Sequence, residues 1–387
     1  MTTVLLYRVG GRDEAPGESG AAHFLEHMMF KGAAVYGPGE IDRRTQTLGG
    51  NNNAFTSHDL TAYYFSFSAD RWQEALAIER DRMTALALDP AEVESERQVI
   101  LEELAMYRDE PWDALELAVQ AELFAGHPYG VPVLGSERDL EATDRGRLAA
   151  FHRRYYRPAN ALLVVAGDLG ADSAGRIDAA FGDLPPEAIA RSPVAAVPPL
   201  AGARRLERRH GDIARLLLAL PAPSPEDPDH AGLRLLATLL GGGRTSRLHR
   251  AFVDVGQLCL SASSALAEAE VASHIACSFE VLPGGDPAEV ERRLAAELAD
   301  LRDRPIAEEE LERGKQILLA DWVFQQERIH QQAITAALAL AQGDLEQPER
   351  IVRRALECDA GELQQLARRY LDPQAGSVLG LSLPEEA

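Results

Sequence analysis

The chain is 387 residues long, which suits two domains of roughly 150 to 200 residues each, and its apolar share of 46% is enough to build a core in both. A formal net charge of −22 disfavours nucleic acid and anionic membrane surfaces as partners, so a cationic peptide is a better-matched one. The three cysteines form no CxxC pair, which excludes a disulfide framework or a zinc-ribbon site and favours buried free thiols.

The predicted elements of the first half alternate between strands and helices. Residues 3–9 are rich in β-forming side chains and lack the basic region and cleavage site of a signal peptide, so we predict a strand there. The aromatic segment that follows the asparagines at 51–53 is predicted to be a strand at a sheet edge. Hydrophobic periodicity and turn residues also predict a buried strand over 160–170 and helices over 21–32, 39–48, 70–87, 90–110 and 113–125.

A stretch dense in proline and alanine divides the chain. It predicts a linker over 186–203, between a first domain at 1–185 and a second at 204–387. No apolar run has the length of a membrane span. In the second half we predict strands over 214–220 and within 257–282, and helices over 228–240, 286–303 and within 306–341. Strands and long helices therefore mix in both halves, which indicates two α/β units of similar size.

The segment "AAHFLEHMMFKG" at 21–32 carries a metal-binding pattern. On a helix, His23 and His27 share a face and Glu26 lies beside them. His-x-x-Glu-His is the inverted form of the zincin motif, in which the histidines bind zinc and the glutamate is the general base. A plain polar patch is the alternative.

A third protein ligand is sought on the helix that begins at Asp89 and Pro90. Glu96 and Glu103 are two turns apart and share one face, whereas Glu102 points about 100° away. One of the pair could bind a metal while the other orients a histidine ring. A solvated glutamate face is the alternative, since such residues are mostly exposed.

The motif and three further stretches, "LGGNNNAFTSHDLTAYYF", "ERQVILEELAMYRDEP" and "HPYGVPVLGS", resemble the pitrilysin (insulinase) family of inverzincin metallopeptidases in order and spacing. The likeness is greatest to its short-chain branch of processing-type peptidases. It implies an α+β fold of two homologous α/β units, each a mostly antiparallel sheet packed with helices, which together form half of a clam-shell chamber. It also implies one zinc ion per chain.

The resemblance assigns roles to individual residues. His23, His27 and Glu103 would bind zinc, and Glu26 would be the general base acting on a zinc-activated water. Glu96 would orient a ligating histidine ring by accepting its hydrogen bond. An edge strand that binds the peptide backbone of the substrate would comprise Asn53, Ala54, Phe55 and Thr56.

The chain departs from the family pattern after "GGGRTSRL" at 241–248. The family places an arginine and a tyrosine there that clamp the substrate, and these positions fall on Val253 and Leu260, which cannot donate side-chain hydrogen bonds. The resemblance then implies a zinc-site subunit paired with a homologue that carries the arginine and tyrosine, with a homodimer as the alternative. It also implies a further strand before residue 3, which leaves an upstream segment and the compartment open.

Three functions follow from these observations. The first is a zinc endopeptidase subunit acting on extended peptides. The second is a non-catalytic scaffold or assembly subunit, favoured by the lost clamp. The third is a zinc hydrolase for non-peptide substrates, which the peptide-binding edge strand disfavours.

Overall fold

The computed structural model describes residues 1–187, 189 and 193–385, so residues 188 and 190–192 of the predicted linker lie outside the described residues. The strands are β1 (Thr2–Tyr7), β2 (Asn51–Thr56), β3 (Thr61–Ser66), β4 (Ala161–Ala166), β5 (Gly202–Arg209), β6 (Arg215–Ala222), β7 (Cys259–Glu268), β8 (Ser273–Val281) and β9 (Gly376–Leu383). The helices are α1 (Ala21–Met28), α2 (Glu40–Thr47), α3 (Gln73–Ala85), α4 (Pro90–Asp109), α5 (Pro111–Leu123), α6 (Glu137–Ala142), α7 (Arg145–Tyr155), α8 (Ser173–Phe181), α9 (His230–Gly241), α10 (Pro287–Asp303), α11 (Glu308–Gln325), α12 (Ile329–Ala341), α13 (Gln347–Glu357) and α14 (Ala360–Tyr370).

The chain forms two compact units, and the first comprises Met1–Ala105, Val131–Val194 and Phe324–Glu346. Its sheet has the order β2-β3-β1-β4 with antiparallel pairing throughout. Side chains of β1 alternate between two cores: Leu5 packs with the α1 side, whereas Val4 packs with α12. Small alanines on α12 allow that helix to approach the sheet closely. Both faces of this sheet are therefore covered by helices.

The second unit comprises Met106–Gly130, Ala195–Val323 and Gln347–Ala387. Its sheet has the order β5-β9-β6-β8-β7, in which β5 and β9 are parallel and the other pairs are antiparallel. Leu216 and Leu218 of β6 face the core that contains α9, α10 and α14, and Leu217 faces α5. The predicted mixture of helices with mostly antiparallel sheets is confirmed.

The compact units differ from the contiguous ranges 1–185 and 204–387 predicted from the sequence. The reason is that each unit includes a helix from the other half of the chain. The apolar side of α5 packs on the second sheet, and α12 packs on the first. A domain boundary predicted only from composition cannot show that a helix from one half of the chain packs on the sheet of the other half.

Three local predictions were wrong or incomplete. The aromatic segment forms β3, which is internal because β2 pairs with its outer side, so the edge strand is Asn51–Thr56. The range 306–341 contains two helices, α11 and α12, and residues 202–203 of the predicted linker already belong to β5.

The predicted burial of the cysteines is confirmed: Cys259, Cys277 and Cys358 are buried and free. Within the described residues, no helix combines the length and apolarity that a membrane span requires.

Candidate metal centre

Helix α1 carries the His-x-x-Glu-His motif and is fixed at its first turn. Gly20 precedes it with φ of +91°, and a Cβ there would lie 2.7 Å from the carbonyl oxygen of Leu134, so glycine is required on both grounds. The Glu14 carboxyl group accepts hydrogen bonds from the N–H groups of Gly20 and Ala22, each at 2.9 Å. Burial raises the pKa of Glu14 to about 8. The start of the helix is therefore held by a buried carboxyl group and a tight backbone contact.

Helix α4 supplies the glutamates. The Asp89 side chain accepts a hydrogen bond from the N–H of Ala91 at 2.8 Å, as expected for an N-cap. Val93, Ile100 and Leu104 are buried in the same core as α1, which fixes the rotation of α4. Glu102 points to solvent, as its position on the helix predicts.

The side chains of His23, His27 and Glu103 converge. Glu103 Oε2 lies 3.8 Å from His23 Nε2 and 3.6 Å from His27 Nε2. One ligand atom from each residue lies within 4.8 Å of the other two. Ligand atoms of a tetrahedral zinc ion, each about 2.0–2.2 Å from the metal, are roughly 3.3–3.6 Å apart. The spacing and the nitrogen and oxygen donors therefore fit zinc with one coordination position open.

The ionisation of the cluster also suits a metal ligand set. Burial, with a smaller contribution from the charge of His27, lowers the pKa of His23 to about 3, so its imidazole is neutral at pH 7. A neutral imidazole is the form that binds a metal ion. Burial raises the pKa of the Glu103 carboxyl group, and the charge of His27 acts in the opposite direction.

Glu96 lies behind the cluster and is only 4% exposed. Its Oε2 is 3.0 Å from His27 Nδ1, so that nitrogen donates to the carboxylate and Nε2 is left facing Glu103. Its other oxygen, Oε1, is 2.5 Å from the ammonium nitrogen of Lys31. Lys31 is not predicted from the sequence. The feature that could have indicated it is its position four residues after His27, in a chain with only one other lysine.

Glu26 has a hydrogen-bond partner on the edge strand. The Thr56 hydroxyl donates to Glu26 Oε2 at 2.5 Å. Burial raises the pKa of Glu26, and the Thr56 hydrogen bond acts in the opposite direction. The sequence predicted Thr56 as a substrate-binding position; the structure also makes it a neighbour of the candidate base.

Strand β2 ends beside this glutamate and forms the edge of its sheet. Ala54 packs with the core on the α1 side, and Phe55 packs with the core on the α12 side, as alternate residues of a strand do. The Asn53 side chain is exposed and its Oδ1 accepts from the N–H of Ala54 at 2.9 Å. The edge strand and Glu26 are therefore parts of one surface in the first unit.

Two other histidines, His58 and His127, lack partners at metal-ligand spacing in the sequence, which predicts that they are hydrogen-bonded surface groups. His58 fits that prediction, since it is partly exposed and its Nε2 donates to the carbonyl oxygen of Val131 at 2.9 Å. His127 is hydrogen-bonded to the carbonyl oxygen of Ala195, at 3.0 Å, but it is buried, so its surface assignment was wrong.

The two positions predicted for the lost clamp lie in the second unit. Val253 is in a π-helical turn, His249–Asp254, and packs against the core. Leu260 is on β7, the edge strand of the second sheet, and its side chain is 52% exposed. Nearby, Arg247 binds Glu310 through two hydrogen bonds of 2.6 and 2.8 Å.

Residues 2–137 match the model of the insulinase family, peptidase family M16, and residues 143–318 match the model of the peptidase M16 inactive domain. Zinc protease PqqE of Helicobacter pylori is 29% identical over 386 residues, which are 97% of this chain and 86% of that protein. A zinc protease of Mycobacterium leprae is 34% identical over 266 residues, 67% of this chain and 59% of the relative, so the match spans less than two thirds of that protein.

Among solved structures, a protease from Helicobacter pylori superimposes with a TM-score of 0.93 at 27% identity, covering 99% of this chain and 93% of that one. The two family models match consecutive parts of the sequence, and together these parts make up most of it. The chain belongs to the insulinase family of peptidases, family M16.

Proposed function

We propose that the chain is the zinc-site subunit of an endopeptidase that hydrolyses extended peptides. The observation that carries this proposal is the convergence of His23, His27 and Glu103, with Glu26 beside them and an edge strand ending at Glu26. The zinc protease names of the relatives support it.

The donor set would hold one zinc ion through Nε2 of both histidines and a carboxylate oxygen of Glu103. When bound, zinc lowers the pKa of a water molecule towards neutrality and polarises a carbonyl group. Glu96 keeps Nδ1 of His27 engaged, so that Nε2 faces the other ligands.

Glu26 would act as general base and then as general acid. Its carboxylate accepts a proton from the attacking water and returns that proton to the nitrogen of the leaving amine. The Thr56 hydroxyl restrains one carboxylate oxygen through its 2.5 Å hydrogen bond, and the other oxygen is left for the water. Burial raises the pKa of Glu26, which makes it a better proton acceptor than a solvated glutamate.

The substrate would bind as an added strand along β2. An edge strand offers backbone N–H and C=O groups to an extended peptide, and specificity then depends little on side-chain pockets. Asn53, Ala54, Phe55 and Thr56 form the part of this edge nearest the candidate base. The acidic surface of the chain, with a net charge of −22, favours cationic peptides.

A partner subunit would complete the site. Stabilising the oxyanion of the tetrahedral intermediate needs donors or positive charge, a contribution of about 3–4 kcal/mol in other hydrolases. Val253 and Leu260 can supply neither from their side chains. We therefore propose a heterodimer with a homologous subunit that carries arginine and tyrosine at these positions and forms the other half of a closed chamber; a homodimer is the alternative.

A non-catalytic scaffold or assembly subunit is the second candidate. It is favoured by the apolar residues at 253 and 260 and by the match of residues 143–318 to a domain described as inactive. The presence of the residues His23, His27, Glu26 and Glu103 together argues against it.

A peptidase assay with and without the partner separates these functions. The zinc-loaded chain is incubated with quenched fluorescent peptides, alone and mixed with a homologue that carries the arginine and tyrosine. The proposal expects cleavage that needs the mixture, is abolished by a chelator, and falls 10²–10⁴-fold in Glu26→Gln. Cleavage by the chain alone would show that another group replaces the clamp, and no cleavage in either case, with zinc bound, would favour the scaffold.

A further inference from the structure

Lys31 contacts the metal centre through Glu96. It lies just after α1, and its ammonium nitrogen is 2.5 Å from Glu96 Oε1. Glu96 is 4% exposed, and its other oxygen is hydrogen-bonded to His27. A buried carboxylate needs a compensating cation, and a metal-binding imidazole is neutral. Among the described residues, Lys31 is the one that supplies a full positive charge within ion-pair distance of Glu96.

The two oxygens of Glu96 are thus divided between two donors. Oε1 accepts from Lys31 and Oε2 accepts from His27 Nδ1. An ammonium group is a compact charge that binds a single oxygen, whereas a guanidinium group is a planar fork that tends to bind both oxygens of a carboxylate. An arginine at position 31 would therefore compete with His27 for Oε2.

The lysine and arginine content of the chain is a second, independent indication that position 31 requires an ammonium group. The chain has 39 lysines and arginines, of which only Lys31 and Lys315 are lysine. Arginine is therefore used almost wherever a cation is placed. Its absence from position 31 agrees with a local requirement for an ammonium group.

We propose that Lys31 is a positioning residue of the metal centre, whose ammonium group holds Glu96 so that its second oxygen orients the His27 ring, and that arginine cannot replace it. The proposal rests on the proposed function in one respect, namely that His27 is a zinc ligand. Lys31 acts only through Glu96.

The zinc dissociation constant tests this role without any activity measurement. It is measured at pH 7.5 by competition with a chromophoric chelator for the parent chain, Lys31→Met, Lys31→Arg, Glu96→Gln and the double variant Lys31→Met/Glu96→Gln. Lys315→Met and Lys315→Arg are matched controls, because Lys315 lies on α11 in the second unit and its ammonium nitrogen is 3.5 Å from Oε1 of the exposed Glu312. The visible spectrum of the cobalt-loaded proteins reports the ligand geometry.

Removing a residue that orients a metal ligand through a hydrogen bond typically weakens metal affinity 10–100-fold. We expect this loss for Lys31→Met, Lys31→Arg and Glu96→Gln. The double variant should bind zinc within about threefold of Glu96→Gln, because both changes break one path, and the Lys315 variants should stay within about twofold of the parent. The cobalt spectrum should change in the position-31 variants and not in the controls.

Parent-like affinity in Lys31→Met, or additive losses in the double variant, would overturn the positioning role. Parent-like affinity in Lys31→Arg alone would overturn the requirement for an ammonium group. If Lys31→Met does not fold when free of metal, Lys31→Arg and its double variant with Glu96→Gln decide the result. A parent chain that binds no zinc would contradict the proposed function itself, so the two failures are distinguishable.

Discussion

Replacing either member of the Glu79–Arg82 ion pair on α3 should strongly destabilise the first unit. Both side chains are fully buried, and the guanidinium group donates to the carboxylate at 2.8 Å through Nε and at 2.6 Å through Nη2. The guanidinium carbon also lies 4.2 Å from the ring centre of Tyr63. The pair therefore contacts the aromatic core beneath β3, the strand next to the edge strand β2.

The magnitude follows from complete burial. Glu79→Leu leaves an uncompensated cation, and Arg82→Met leaves an uncompensated carboxylate, in a region with no access to water. Each single change should lower the free energy of unfolding by about 3–5 kcal/mol. The double variant removes both charges and should lie within about 2 kcal/mol of the parent, which gives a coupling energy of at least about 4 kcal/mol.

The assay is urea denaturation of the metal-free chain, followed by the fluorescence of Trp72, which is buried in the first unit, after Trp112 and Trp322 have been replaced by phenylalanine. The matched control is Glu40–Arg43, a pair with the same spacing on α2 whose side chains are 41% and 73% exposed. Removing that pair should change the free energy of unfolding by no more than about 0.5 kcal/mol. Single variants at 79 and 82 that cost less than about 1 kcal/mol would refute the reasoning.

Three further outcomes are expected. Thr56→Val should lower kcat roughly 10–100-fold with little change in KM, because a hydrogen bond to a charged group is worth about 1.5–3 kcal/mol. Thr56→Ser keeps the hydroxyl group and should retain kcat. Equal kcat values in the two variants would contradict the restraint on Glu26. Burial lowers the pKa of His152 to about 4, so between pH 6.5 and 4 the unfolded chain binds a proton that the folded chain does not. The stability of the parent relative to His152→Gln should then fall as the pH decreases through that window, by on the order of 2–3 kcal/mol in urea titrations, and an unchanged difference would contradict this. Gly20→Ala should lower the thermal midpoint and weaken zinc binding, because φ is +91° and the new Cβ would lie 2.7 Å from the Leu134 carbonyl oxygen; a parent-like midpoint would contradict that reasoning.

Local periodicity explains why the candidate ligands could be predicted from the sequence. His23 and His27 are one helical turn apart, and Glu96 and Glu103 are two turns apart, so each pair shares a face whatever the tertiary structure. The pairing of α1 with α4 came from the family resemblance, because nothing in either helix alone specifies its neighbour. In the structure the two helices bring His23, His27 and Glu103 together.

Contacts between distant segments could not be predicted. Lys31 and Thr56 contact glutamates 65 and 30 positions away, and neither occurs in a pattern that indicates its partner. The edge strand was first assigned to the aromatic segment because edge and internal strands differ only in what pairs with them. The exchange of α5 and α12 was missed for the same reason, since an amphipathic helix does not specify which sheet it covers.

The zinc content of three purified proteins tests the central claim most directly. After incubation with zinc and removal of the excess, the parent and Glu26→Gln should each retain one zinc ion per chain, and Glu103→Ala should retain almost none, because Glu103 is assigned as a ligand and Glu26 as a base. A parent chain without zinc, or Glu103→Ala with one zinc ion bound as tightly as in the parent, would contradict the assignment of this centre.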